Sequence, residues 1–245
     1  MPVRASRLIS GSRRLPARTR AVKRAAHPRG LNGSQGTGSA LQPARFQTHD
    51  AEKSTEKAQE KLGLILRAAA RVFYERGYEG ASIRDISRES GVSLSGLYYY
   101  FESKQKLLYL IQEHTFRSVV ERLQARLAGV AEPEARLRVL IHNHLDYFLE
   151  HPLEMKVLSH EDEALEEPYK KEVAAIKRRY YEIARKIFED LRDSGQARDV
   201  NARVAVLTLF GMMNWVYTWH KPKVDPKAEQ LAETIGGIFL TGVRT

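Results

Sequence analysis

Cysteine is absent from all 245 residues. Its absence excludes disulfides, thiolate metal sites and cysteine nucleophiles, and fits a reducing, cytoplasmic setting. Long apolar runs are missing too. The longest, Val204 to Val216, is too short to cross a bilayer and contains Thr208 and Asn214, so no membrane association is expected. Asp and Glu are missing from residues 1–49, which hold ten Lys or Arg. The formal charge of +10 therefore resides in this tail, and residues 50–245 balance 30 basic against 30 acidic side chains. Net charge is thus no argument for nucleic acid, and the case has to be made locally. Between Lys61 and Lys106, eight basic residues stand against five acidic ones, a mild basic footprint.

Catalytic signatures are also lacking. There is no P-loop, no G-x-S-x-G and no dinucleotide fingerprint, so neither enzyme chemistry nor a cofactor is expected. His142 and His144 are two apart and point in different directions on a helix. His142 with Asp146 is only an i,i+4 pair, and His160-Glu161-Asp162-Glu163 is a charged helix end. No third ligand stands at usable spacing, so no metal site is expected.

What is present divides in three. Residues 1–49 are rich in Arg, Ser, Gly and Pro without an apolar period and are expected to be disordered. A basic DNA-contacting arm, a transit-type peptide and an upstream stretch translated from a misassigned start all fit this composition, and the last two are preferred. There is no apolar core of a secretory signal. From about Glu56 the periodicity is helical throughout. Leu62, Ile65, Leu66, Ala69, Val72 and Phe73 share one face, and Gly77 ends that helix. Ser82 and Asp85 form a capping-box pattern for a short helix that Gly91 stops. Ser93 caps a second short helix, Leu94 to Tyr100, and Ser103 caps a long one, Lys104 to Leu127. Further helices are expected from Pro133 to about His151, from Pro152 to His160, from Pro168 to near Gly195, from Asp199 or Asn201 to near Trp219, and from about Lys227 to Leu240. The fold class is all-α. One helical domain is expected over residues 54–103 and a larger one over residues 104–245.

Ser82 to Phe101, a short helix, a three-residue Gly turn and a second short helix, has helix-turn-helix geometry. Its core is expected from Ile83, Ile86, Val92, Leu97 and Phe101 packed with Phe73. The run Gly91-Val92-Ser93-Leu94-Ser95-Gly96-Leu97-Tyr98-Tyr99-Tyr100-Phe101-Glu102-Ser103-Lys104-Gln105-Lys106-Leu107 closely resembles the signature of the TetR family of bacterial transcriptional regulators. Phe73 to Tyr78 and Ser82 to Ile86 resemble it as well. Where the family often has Gly, this chain has Ser95, with a Gly at 96. The resemblance implies a homodimer on a double-stranded, palindromic operator, most simply a repressor released by a small hydrophobic effector. An activator, or an aromatic, lipid or drug effector, is the alternative.

By the same resemblance, Ser82 and Ser93 hold phosphates at helix N-termini, Tyr98, Tyr99 and Tyr100 lie along the DNA backbone, and Lys104 contacts a phosphate. Arg84 reaches a base or a phosphate. The second helix contains no Arg, Lys, Asn or Gln, so bidentate readout of a purine is unavailable from it. Leu94 against a thymine methyl, the Ser95 hydroxyl and close approach at Gly96 remain. Val204–Val216 is apolar on nearly all sides and needs cover all round. With Ile235, Gly236, Gly237, Ile238, Phe239 and Leu240 it resembles the family's dimer bundle. Apolar stripes between residues 104 and 219 suit an effector pocket, with Ile111, Phe116, Phe148, Ile176, Arg179, Tyr180, Asn214 and Trp215 as candidate lining. The segment Gly211 to Pro222 loosely resembles members that sense acyl-CoA. The basic run Lys170–Lys186 would meet the CoA phosphates, or else is a solvated helix face.

Overall fold

A computed structural model describes residues 46–160 and 164–244 of the chain, with side chains from residue 56 and without that of His160. The tail expectation for residues 1–45 lies outside the described residues, as does the acidic run at 161–163. Arg45–Thr245 forms one compact unit. It is all-α: α1 (Phe46–Gly80), α2 (Ile83–Ser90), α3 (Leu94–Tyr98), α4 (Lys104–Leu127), α5 (Pro133–Glu150), α6 (Pro152–His160), α7 (Tyr169–Asp193), α8 (Ala202–Asn214), α9 (Val216–Trp219) and α10 (Ala228–Val243). Helix therefore begins at Phe46, inside the stretch read as unstructured.

Helix ends follow local chemistry. Gly77 has φ 68 and ψ 162 and breaks the regular helix inside α1, a conformation that a Cβ resists. The capping box between Ser82 and Asp85 is formed, Ser93 and Ser103 cap α3 and α4, and Asn201 rather than Asp199 caps α8. The helix expected to run on to Trp219 breaks at Trp215, giving α8 and α9.

Two cores organise the helices. The head core joins Ile65, Phe73, Ile86, Leu97 and Phe101 from α1 to the turn before α4, with Leu107, Leu108 and Ile111 of α4. Val92 is buried there and Ile83 only partly so. Val157 of α6 and Val173 of α7 complete it. The second core takes the other end of α4 (Val119, Val120, Leu123, Leu127) with α5, α7, α8 and α10. Phe116, midway along α4, packs against both. The short helix α6 is divided in the same way, with Met155 and Leu158 in the second core and Val157 in the head core.

Helix α10 lies on α5. Glu233 bonds Arg138 at 3.0 Å and His142 at 2.8 Å, so His142 pairs across helices rather than with Asp146. A Cβ at Gly236 would meet Ile141 Cδ1 at 3.5 Å, an ordinary contact, so Gly236 faces α5. Four of the six residues assigned to a dimer face are therefore internal: Ile235, Gly236, Phe239 and Leu240 are buried against the chain's own helices, and only Gly237 and Ile238 look outward. Phe239 stacks edge-on with Phe188 at 6.1 Å. Phe239→Arg is accordingly expected to unfold the subunit, losing more than about 4 kcal/mol by burying an unpaired charge. Ile238→Arg, on the open face, is expected to leave a cooperatively folded subunit. Thermal denaturation of both variants checks this.

Candidate nucleic-acid interface and effector cavity

The head presents α3 through its buried anchor Leu97, 0% exposed. Leu94 and Tyr98, one helical turn apart, then share the outward side with Ser95 and Tyr99. Their exposure is high for large apolar side chains: Leu94 39%, Tyr98 54% and Tyr99 83%. Tyr100 turns inward and meets Tyr99 edge-on at 5.1 Å. Arg84 is exposed on α2 and, among the described residues, in no ion pair. The neighbouring cations are engaged: Arg76 bonds Asp85 at 2.9 Å and Arg71 bonds Glu89 at 3.0 Å.

Three assigned residues already have internal tasks. Ser82 Oγ donates to Asp85 Oδ2 at 2.6 Å and accepts from the Asp85 amide. This bonding holds the Asp85 carboxyl below the usual carboxylate range, helped by Arg76 and Arg88. Ser93 Oγ accepts from the Gly96 amide at 3.2 Å and lies 3.2 Å from Ser95 Oγ. A Cβ at Gly96 would sit 2.9 Å from Val92 Cγ1. The glycine is thus required by packing inside the turn, a reason independent of any approach to a groove.

Lys104 also has internal partners. Its ammonium donates to the carbonyl of Tyr78 at 2.8 Å and to those of Glu79 and Ala81 at 3.4 Å, and lies 4.2 Å from the centre of the Tyr78 ring. Its three N–H groups are matched by three carbonyls at the end of α1, where positive charge is favoured. Without DNA, Lys104 thus clamps α4 to the end of α1. The sequence carries no signal for this, because the contact spans 26 residues.

A second site lies between α4, α5, α6, α7 and α8. It is a cavity of about 710 Å³, within the usual range for small-molecule sites. Phe116, Phe148, Met155, Leu158, Leu207 and Phe210 supply apolar wall, Lys177, Arg178 and Arg203 cationic wall, and His144, Tyr180 and Asn214 hydrogen-bonding groups. Glu182 also lines it, and its carboxylate is bonded to Arg185 at 2.7 Å. Of the candidate lining residues, Phe116, Phe148, Tyr180 and Asn214 are brought together here. The other four are elsewhere. Ile111 is in the head core and borders a separate void of about 60 Å³. Ile176 is half-buried off the cavity. Arg179 is exposed and donates to Gln124 at 3.2 Å. Trp215 is 65% exposed on the outer surface.

His144 was missed because its spacing was tested only for metal binding. It is 2% exposed, and its Nδ1 is 3.2 Å from the Tyr180 hydroxyl. Burial pulls its imidazole down to about 3, weakly opposed by Asn214, and pushes the Tyr180 phenol up. Among the described residues no group of three or more His, Asp or Glu could hold a metal ion, and no helix is long and apolar enough to cross a membrane.

Residues 65–109 match the model of bacterial regulatory proteins of the tetR family, and residues 130–243 the tetracyclin repressor-like C-terminal domain. The HTH-type transcriptional repressor NicS of Pseudomonas putida is 32% identical over 117 residues, 48% of this chain and 55% of NicS, so the match spans about half of that relative's own length. A TetR-family transcriptional regulator from Bordetella parapertussis is 31% identical with a TM-score of 0.67, over 73% of this chain and 93% of that one. AibR, solved in complex with isovaleryl coenzyme A and operator DNA, is 27% identical with a TM-score of 0.67, over 73% of this chain and 97% of that one.

Two measurements test the geometry. Lys104→Met is expected to lower stability by about 1–2 kcal/mol and to weaken every DNA site alike. If the clamp is its role, the slope of log affinity against log salt stays unchanged. A slope shallower by about one would return the ammonium to a phosphate. His144 titrates low in the folded chain and near its ordinary 6.5 when unfolded. Its contribution to stability is therefore complete above pH 6.5 and declines as pH falls toward 3. His144→Phe is expected to reduce the stability lost between pH 7 and pH 5 by up to about 2 kcal/mol, read from denaturant midpoints.

Proposed function

The chain belongs to the TetR family of bacterial transcriptional regulators, and from that membership we propose that it represses transcription as a homodimer until an apolar effector with an anionic end, such as a CoA thioester, fills the cavity. The observation that carries the effector reading is the cavity itself, where apolar walls stand beside Lys177, Arg178 and Arg203. The solved AibR complex with isovaleryl coenzyme A is compatible with it. The cationic contribution is narrower than the whole run Lys170–Lys186, since Lys186 pairs with Asp190 at 2.7 Å and Arg185 with Glu182 and Glu189.

Dimerisation is supported by a face that the subunit leaves open. Val204, Thr208, Gly211 and Trp215 recur at spacings of four, three and four along α8, and Gly237, Ile238 and Thr241 continue the surface on the neighbouring α10. Val204 is 62% and Ile238 61% exposed. Two subunits joined there would carry two heads related by a two-fold axis and would prefer inverted half-sites. Phosphates would be held by the outward Tyr98 and Tyr99, with Arg84, in no ion pair among the described residues, beside them and Leu94 and Ser95 at the bases. The effector would act by favouring a conformer whose heads are wrongly spaced, because equal binding to both conformers shifts nothing. Coupling of about 1–3 kcal/mol lowers operator affinity about 5- to 150-fold. Phe116 of α4 and the divided helix α6 connect the cavity to the head core.

The test is one titration on an operator obtained by selecting bound DNA from genomic fragments. Acyl-CoAs of graded chain length are added to the protein–operator complex. Release by one of them, weakened in a Lys177→Glu/Arg178→Glu variant, supports the reading. Release only by free fatty acids, aromatics or cationic drugs removes the CoA thioester and leaves the regulator. Ile238→Arg should sediment as a folded monomer without operator affinity, and a monomer that still binds a single half-site tightly would overturn the dimer.

A further inference from the structure

One residue of α8 belongs both to the cavity and to the open face of the subunit. Arg203, Leu207, Phe210 and Asn214 line the cavity, at spacings of four, three and four that put them on one side of the helix. Val204, Thr208, Gly211 and Trp215 each follow one of them by a single residue, about 100° further round. Leu207 stands three residues from Val204 and four from Gly211, so it is a surface neighbour of both. It is 47% exposed although it is cavity wall. Arg203 and Asn214 are exposed as well, and Phe210 is half-buried. A Cβ at Gly211 would meet nothing within 4 Å, so no other part of the subunit comes close to α8 there.

A cavity with such a wall is unfinished. Small-molecule sites bury about 70–90% of their ligand, whereas three of the four cavity residues of α8 also face solvent. An apolar chain lying against Leu207 would keep that flank in water and forgo the gain from burying it. The strip that adjoins Leu207 is itself apolar and open, with Val204 at 62% and Trp215 at 65% exposure, and a contiguous patch of this kind marks an interface. Its outline suits a second copy of itself, since a two-fold contact must match the same patch on both partners. The spacing of four, three and four reads the same from either end, with Val204 and Trp215 at the ends and the smaller Thr208 and Gly211 between them. No charged residue stands within the strip, so two copies meet there without like-charge repulsion.

We propose that a second subunit seated on α8 closes the cavity at Leu207, so that the effector site is complete only in the dimer. This rests on the dimer and on the cavity being the effector site, and goes beyond both by making one a part of the other. Ser159 of α6 and Arg178 of α7, exposed on the other walls, leave an anionic end its way to solvent. Effector and dimer then strengthen one another by the same factor. Release of the operator follows from respaced heads and not from separation of the subunits. Shielding about two methylene groups of the ligand from water corresponds to about a tenfold gain in affinity.

The chain has no cysteine, so a Leu207→Cys thiol in the full chain reports this place alone. Its labelling by a maleimide dye is expected to be lost where sedimentation shows a dimer and recovered when Ile238→Arg is added to give the monomer. Glu121→Cys, exposed on α4, is expected to label alike in both backgrounds. Wild type and Ile238→Arg are also titrated calorimetrically with octanoyl-CoA and with decanoate, and the dimer is expected to bind about tenfold more tightly. A wild type that sediments only as a monomer overturns the inference together with the dimer. A dimer whose Leu207→Cys thiol labels as fast as the monomer's overturns the inference and leaves the dimer standing. A protected thiol with equal affinity in dimer and monomer makes Leu207 interface alone and overturns it too. A difference seen with decanoate only supports the inference and removes the CoA thioester. Failure of both probes to bind the dimer overturns the effector cavity and the inference with it. Should Ile238→Arg stay dimeric or not melt cooperatively, Thr241→Arg on the same face takes its place, and a dimer that survives both overturns the assigned face.

Discussion

One uninterrupted helix belongs to two cores. The 24 residues of α4 give Leu107, Leu108 and Ile111 to the head and Val119, Val120, Leu123 and Leu127 to the larger body. A packed core does not deform continuously. Movement of α4 relative to one core must therefore be matched at the other, or be taken up at Phe116, which touches both. Lys104 strengthens the constraint at the head end by holding the carbonyls of Tyr78 and Glu79 in α1 and of Ala81 just beyond it. Gln105 extends it by donating to the carbonyl of Ala164 at 2.7 Å, and Tyr169 at the start of α7 bonds Glu102 at 3.0 Å. The head is thus fastened to the same helices that enclose the cavity.

The outward side of α3 is chemically spare. Its outward groups are Leu94, Ser95, Tyr98 and Tyr99, with Arg84 on the adjacent helix. Without a bidentate amide or guanidinium on α3, sequence discrimination would fall to methyl contact, single hydroxyl bonds and DNA shape. Such a head gains from two copies at fixed spacing, which links the weak chemistry of one recognition helix to the open face on α8 and α10.

The cavity shows a different economy. Its apolar wall belongs to the core that stabilises the body, and its polar groups are held by bonds that exist without a ligand. His144 and Tyr180 are paired with each other in the buried wall, and Asn143 beside them is anchored on the backbone of α4. Preorganisation of that kind lowers the ordering cost of binding. Arg178 and Arg203 of the same wall stand at exposed positions.

The helices, their caps and the recognition segment were legible in sequence because their causes are local. Serine before a helical run, proline at its first turn and glycine after it act within a few residues, and the run from Gly91 to Leu107 is contiguous. Residues whose role depends on distant partners were not legible. An apolar stripe has the same spacing whether it faces a cavity, a core or a second subunit. Phe116, Phe148, Tyr180 and Asn214 were therefore separable from Ile111, Ile176, Arg179 and Trp215 only once α4 to α8 were packed. Phe239 and Ile238 are neighbours in sequence with opposite surroundings, and the placement of α10 against α5 decided which is core. Lys104 and His144 make the point most sharply. An ammonium at a helix start and an imidazole on an apolar helix are chemically open in the sequence, and their tasks were assigned by carbonyls and a phenol that the fold brings from 26 and 36 residues away.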